Sequence, residues 1–345
     1  MRLLGTIKIT GREEKRIELC QGDLTSLRPE ERFDLLIVSA FPDDYIPTYT
    51  SLIGALHRKG LSVADLAAAK ELDLRTNFSC WLSQKFSPTH EDLRFDHILC
   101  FEPPQQRGHP PSVVGDIFRA LMPILAEKKE IKTAAMPIVA AGDQGFSVAE
   151  ILEPLLGAAI QWMEHGLPLN VLKIVAYSDW QAQAAERTFH DKASLYIATA
   201  PRQTKPPTDF DVFLSYAHEN SSETEFLEQS LRRANPTIRL FFDRKSIDIG
   251  VAWQPEIFES LDRCRKVVAI FSPDYLASKV CKEEFNIAWV RSRDTDQDII
   301  FPIYLYSANL PTYMKYRNYV DCREGDRTKL ERASTRLLQA LAAPA

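Results

Sequence analysis

A chain of 345 residues is longer than a single hydrophobic core serves comfortably and suits two domains. Its 45% hydrophobic and 26% charged residues describe an ordinary globular protein, and a net charge of −5 excludes a general attraction to nucleic acid or anionic membrane. Six scattered cysteines, with no CxxC pair or Cys/His cluster, argue against a disulfide framework and a zinc site. The opening residues lack the apolar run of a secretory signal, and no stretch reaches membrane-spanning length without charge, so a cytoplasmic protein is expected.

In chain order, apolar runs at 34–39, 97–101, 132–139 and 171–177 predict strands. Stretches 51–58, 113–127 and 148–163 have helical spacing. The segment 199–208 holds three prolines and little to bury, which marks a linker between domains 1–198 and 209–345. Beyond it, 211–215, 239–242, 267–271 and 299–305 predict strands. Ser222 and Glu225 fit a capping box opening a helix with Leu227, Leu231 and Ala234 on one face. Pro255 suits the first turn of a helix carrying Ile257, Leu261 and Cys264. Pro302 lacks a donor, so the last strand is expected near an edge or bulged. Alternating strands and helices predict a mostly parallel sheet covered on both faces in each half.

Four motifs of the C-terminal half carry a family resemblance. They are Phe210-Asp211-Val-Phe-Leu-Ser215-Tyr216; Phe242-Asp243 with a loop to Gly250 and Trp253; Val268-Ala-Ile-Phe-Ser272-Pro-Asp-Tyr275; and Ser278-Lys-Val-Cys281-Lys-Glu-Glu284. In this order and spacing they resemble a TIR domain, which implies a flavodoxin-like parallel sheet. The resemblance implies NAD+ glycohydrolysis, with Glu284 as the catalytic carboxylate and NAD as substrate rather than cofactor. Ser215, Tyr216, Ala217, His218, Asp243, Asp248, Trp253 and Val280 would then line the NAD site. One carboxylate suits this chemistry. Nicotinamide leaves from a cationic pyridinium and needs no general acid, while positive charge grows on the ribose and calls for a fixed anion. Val280 stands where NAD-cleaving members often carry Trp, and it cannot stack. Read without the motif, Glu284 is a dipole-favoured residue near a helix start, His218 a loop histidine, Cys281 a buried hydrophobe and Trp253 a core cap.

The N-terminal half carries a second resemblance. Cys20-Gln-Gly22-Asp23-Leu24-Thr25, Ile53-Gly54-Ala-Leu-His57-Arg58 and Met136-Pro-Ile-Val-Ala-Ala-Gly142-Asp-Gln-Gly145-Phe146 are similar to motifs of macro domains, which bind ADP-ribose. That implies a three-layer unit with a mixed sheet. Asp23 would accept from an adenine amino group, amides around Gly142 and Gly145 would meet a diphosphate, and Phe146 would pack on a ribose or base. An ordinary strand-to-helix turn accounts equally for the two glycines. The asparagine of family hydrolases is absent after the second strand, where Ser39-Ala-Phe-Pro42 stands, so no ADP-ribosyl hydrolysis is expected. Together the resemblances imply an immune-defence protein that cleaves NAD+ to nicotinamide and ADP-ribose or a cyclic relative, regulated by its N-terminal half. It would self-associate through TIR domains and bind no nucleic acid or membrane. Two alternatives stay open: a non-catalytic TIR adaptor, or a receptor for an ADP-ribose-type messenger; a partner effector protein would be a further binding partner.

Overall fold

A computed structural model describes residues 1–12, 14–103, 114–139, 147–199, 209–242, 260–294, 297–315 and 318–342. The chain divides into two units, Met1–Gln203 and Thr204–Ala345. The proline-rich stretch from 200 to 208 lies outside the described residues.

The first unit is built on strands β1 (Arg2–Lys8), β2 (Arg16–Gln21), β3 (Leu35–Ser39), β4 (Lys70–Asp73), β5 (Cys80–Ser83), β6 (His97–Phe101), β7 (Thr133–Pro137) and β8 (Val171–Ala176). They form one mixed sheet in the order β1-β2-β8-β7-β3-β6-β5-β4. The inner five strands run parallel, and antiparallel strands finish both edges. Its helices are α1 (Leu52–Arg58), α2 (Val63–Ala68), α3 (Arg75–Phe78), α4 (Asp116–Glu127), α5 (Val148–Glu164) and α6 (Asp179–Thr199). Leu35, Leu36, Ile37 and Val38 are all fully buried, as an inner parallel strand with both faces covered requires. Leu36 and Val38 pack with Ile53, Leu56, Val63 and Ala67 of α1 and α2. The alternate residues Leu35 and Ile37 face the opposite side, where they are equally enclosed.

The second unit has strands β9 (Phe210–Ser215), β10 (Leu240–Phe242), β11 (Cys264–Phe271), β12 (Ile300–Tyr304) and β13 (Val320–Asp321). Its helices are α7 (Ser221–Ala234), α8 (Pro273–Ala277), α9 (Lys279–Asp294), α10 (Thr312–Lys315) and α11 (Arg327–Ala342). The sheet is parallel throughout, in the order β10-β9-β11-β12-β13. Val212, Leu214, Val268 and Ile270 pack against Leu227 and Leu231 of α7 and Leu330, Ala333 and Leu337 of α11. The alternate residues, including Phe271, turn to the other face, where Phe271 meets Phe285 of α9 at 5.7 Å between ring centres. After β9 the chain passes to β10 on one side and then to β11 on the other. The carboxyl ends of β9 and β11 are therefore the switch point at which parallel sheets open a crevice.

Local expectations are corrected in two places. Helix α7 starts directly from a short 3₁₀ turn at His218–Asn220, so its N-cap is Asn220 and Ser222 falls inside the first turn. The Ser222 hydroxyl bonds Glu223 rather than closing a capping box, and Ala234 at the helix end is exposed. Cys264 opens β11 instead of sharing a helix face with Leu261; Pro255 and Ile257 lie outside the described residues. Pro302 sits on the penultimate strand, near the sheet edge as expected. Leu305 donates to Phe271 while Tyr304 accepts from Cys322, so even-numbered positions of β12 face β13. That strand begins opposite Ile303, and the donor missing at Pro302 faces the side beyond its start.

Candidate functional site

Ser215 is the last residue of β9 and pairs with Ala269 of β11, which places it at the switch point. By the two-residue period it faces α9, opposite the Val212–Leu214 side. Its hydroxyl, 1% exposed, donates to Glu284 Oε2 at 2.5 Å and lies 2.9 Å from the Tyr275 hydroxyl. Glu284 is itself 2% exposed, so its carboxyl lies at the carboxyl ends of the parallel strands and away from bulk solvent. Directly beyond β11, Ser272 caps α8 by accepting from the Tyr275 amide at 3.0 Å, and donates to Asn220 Oδ1 at 2.6 Å. Thr224 donates to the Asn220 carbonyl at 2.8 Å. A buried polar web thus joins the ends of both switch-point strands to the helix that carries Glu284.

The other expected residues divide in placement. Ala217 is buried, Tyr216 is half-buried, and His218 is exposed on the 3₁₀ turn. Val280 lies one helical turn before Glu284 on α9 and is half-buried, while Cys281 is buried. Asp243, Asp248 and Trp253 lie outside the described residues, as do Gly142, Gly145 and Phe146. Sequence reasoning missed Tyr275, Ser272 and Asn220, and also the burial of Lys282 and Glu283 beside Glu284. Burial, reinforced by Lys279, pushes the Lys282 ammonium down to about 8. Three successive ionisable side chains inside a fold are uncommon.

In the first unit, a cleft of about 1070 Å³ opens past the carboxyl ends of β2, β3, β7 and β8. Asp23 follows β2 on its wall and is half-buried. One of its oxygens is taken by the amide and hydroxyl of Thr25, at 2.8 and 2.7 Å. Among the described residues, nine large apolar side chains are exposed, and five of them, Phe41, Ile46, Tyr49, Tyr177 and Trp180, line this cleft. Exposed apolar residues of a folded protein are otherwise mostly scattered singly. The Arg58 guanidinium lies 5.1 Å from the centre of the Tyr49 ring and donates to the Tyr49 carbonyl.

The segment after β3 that forms one wall is anchored from below. Glu102, 3% exposed, accepts from the Trp81 indole, the Tyr45 hydroxyl and, at 3.2 Å, the Asp43 amide. Burial, and then the bond to Glu102, hold the Tyr45 phenol above its usual range. Asp43 takes a φ of 55°, a left-handed turn that Asp tolerates better than most residues. None of these anchors forms a recognisable motif, because they come from three separate segments.

A family model described as the TIR domain matches residues 212–338. Residues 212–338 form a TIR domain. Toll-like receptor 2 of Capra hircus is 27% identical over 97 residues, and that of Canis lupus familiaris is 28% identical over the same length. Each match takes in 28% of this chain and spans 12% of the receptor's length. The solved TIR domain of a Toll-related receptor from Hydra magnipapillata is 19% identical, covering 39% of this chain and 99% of that one, with a TM-score of 0.31. Solved macrodomains are similar to the other half of the chain. The Oceanobacillus iheyensis macrodomain with ADP is 13% identical over 55% of this chain and 98% of that one, at a TM-score of 0.42. The Trypanosoma brucei macrodomain in complex with ADP-ribose is 16% identical over 55% and 74%, at 0.41. Among the described residues, no helix is long and apolar enough to cross a membrane.

Proposed function

We propose that the TIR domain is an NAD+ nucleosidase of an immune-defence protein. It would release nicotinamide and ADP-ribose or a cyclic ADP-ribose, with Glu284 as the catalytic residue. The observation that carries this reading is the Glu284 carboxyl, buried at the sheet's switch point and held by Ser215. The C1′–N bond to the pyridinium breaks with its electron pair going to nicotinamide, which leaves neutral. The ribose ring becomes cationic, and a carboxylate already oriented and dried stabilises that charge without reorganising. Water then adds at C1′ and loses its proton to solvent; a ring nitrogen of the adenine adding there instead closes the cyclic product. The Pro-rich stretch 199–208 links the domain to a regulatory macro-like half, 1–198. The aromatic-rimmed cleft of that half takes an ADP-ribose-like nucleotide. TIR domains of neighbouring copies associate head-to-tail, a contact that does not close and can grow filaments.

The test is purified protein incubated with NAD+, with nicotinamide followed by chromatography. Turnover is expected, and Glu284→Gln should lower it by at least a hundredfold, the scale of losing a principal electrostatic stabiliser. Turnover that survives Glu284→Gln would falsify the role assigned to that residue.

Val280 favours a second reading, a non-catalytic TIR adaptor, because an aliphatic side chain offers no ring face to nicotinamide. Silence at high protein concentration with a crowding agent, together with self-association seen by sedimentation, would select the adaptor. A nucleotide shift in the first unit without any turnover would select a messenger receptor acting through a partner.

A further inference from the structure

We propose that Tyr275 is a positioning residue that orients the Glu284 carboxylate through the hydroxyl of Ser215. The inference rests on the nucleosidase reading for its consequence in turnover, but the contacts that carry it do not.

The direction of each hydrogen bond follows from proton counting. An ionised carboxylate only accepts, and a serine hydroxyl has one proton to give. With Ser215 Oγ 2.5 Å from Glu284 Oε2, that proton goes to the carboxylate. The Tyr275 hydroxyl, 2.9 Å from Ser215 Oγ, must then donate to the serine oxygen. The relay runs one way, from phenol to serine to carboxylate. Donation from the phenol makes the serine a better donor in turn, because hydrogen bonds in a chain polarise one another. Tyr275 is 0% and Ser215 1% exposed, so water does not compete for either bond.

The phenol is itself fixed by the surrounding web. The Tyr275 amide donates to Ser272 Oγ at the start of α8, and Ser272 passes its own proton to Asn220 Oδ1. The Tyr275 ring lies edge-on to Phe271 of β11, with centres 5.6 Å apart. A buried anion that must sit close to a developing cationic carbon loses effect with small displacements, and this relay limits its rotation. A purely structural role, filling space beside Phe271, predicts no effect from removing the hydroxyl alone.

Tyr275→Phe keeps the ring and removes only the hydroxyl. Nicotinamide release by the full chain should fall about tenfold in kcat, the worth of one net hydrogen bond, with KM within a factor of about two. Ser215→Ala should lower kcat at least as far, and the double variant should lose no more than Ser215→Ala alone, because Tyr275 acts through the serine. A second measurement needs no turnover. With glutamate labelled with ¹³C at the side-chain carboxyl, the Glu284 resonance is identified by its absence in Glu284→Gln. It should move in Tyr275→Phe at constant pH. An unmoved resonance, or additive losses in the double variant, overturns the relay while leaving the nucleosidase reading intact. A wild type inert toward NAD+ overturns that reading instead, and the carboxyl resonance still decides the relay.

Discussion

His97 opens β6 at 1% exposure, with neither ring nitrogen in a hydrogen bond. Burial, and then the positive Lys128, hold its pKa below the ordinary imidazole value, against the opposing pull of Asp96, Glu71 and Glu130. The unfolded chain takes up a proton near pH 6.5, whereas the native ring resists it. The stability tied to the neutral ring is therefore intact above pH 6.5 and is lost as pH falls below that value. His97→Leu should match or exceed the wild type by about 1 kcal/mol at pH 7.5, because it removes two unpaired polar atoms. Its advantage in urea titrations should widen steadily towards pH 5. Curves that stay parallel from pH 7.5 to 5 would show that the imidazole gains its proton in the native state as readily as in the unfolded one. Glu102 is the opposite case at the same scale. It is buried but fully engaged, and its partners bring together Asp43, Tyr45 and Trp81.

Among the elements, α1 shows how a backbone contact dictates a residue. A β-carbon placed at Gly54 would stand 1.8 Å from the carbonyl oxygen of Thr48, so the cleft wall before the helix lies directly on the helix backbone. Alanine is the better helix former by about 1 kcal/mol, which by itself predicts stabilisation. The clash should win, and Gly54→Ala should lose about 1–3 kcal/mol net, the usual scale of overpacking against a rigid neighbour. Chemical denaturation checks the sign, and an unchanged or higher midpoint would mean that the Thr48 segment yields at little cost. Helix α9 shows the converse. Residues from Cys281 to Ala288 are all buried although four of the eight are polar or charged, so its faces are set by what surrounds it rather than by an apolar stripe.

For the whole molecule, the nucleotide reading of the first unit predicts a linked change in stability and activity. ADP-ribose at a hundred times its dissociation constant should stabilise that unit by about 2.7 kcal/mol, seen as a rise in its melting temperature. Trp180→Ala should reduce the rise by removing an exposed stacking surface, and Asp23→Ala by removing an acceptor on the cleft wall. The same ligand should change the rate of nicotinamide release if the two units communicate. No thermal shift in the wild type would dismiss the cleft as a nucleotide site. A shift with an unchanged release rate would leave the binding and remove the regulation.

Apolar runs alone marked four of the five inner strands of the first unit, β3, β6, β7 and β8, because a run such as Leu35–Val38 must be apolar on both faces to lie inside a covered sheet, and that demand is local; β2, where Arg16 and Glu18 alternate with Ile17 and Leu19, carries no such run and was missed. The order of four short motifs likewise identified the TIR domain. Capping at Ser222 was misjudged because an adjoining 3₁₀ turn moved the helix start, a choice made between neighbouring segments rather than within one. The burial of Lys282 and Glu283, the bonds from Ser215 to Glu284 and Tyr275, and the meeting of Phe41, Tyr49, Tyr177 and Trp180 at one cleft were decided by tertiary structure alone. Ser215 lies 60 and 69 residues from Tyr275 and Glu284, and Phe41 and Tyr49 lie more than a hundred residues before Tyr177 and Trp180, so only packing the sheet and its helices brings these side chains within reach.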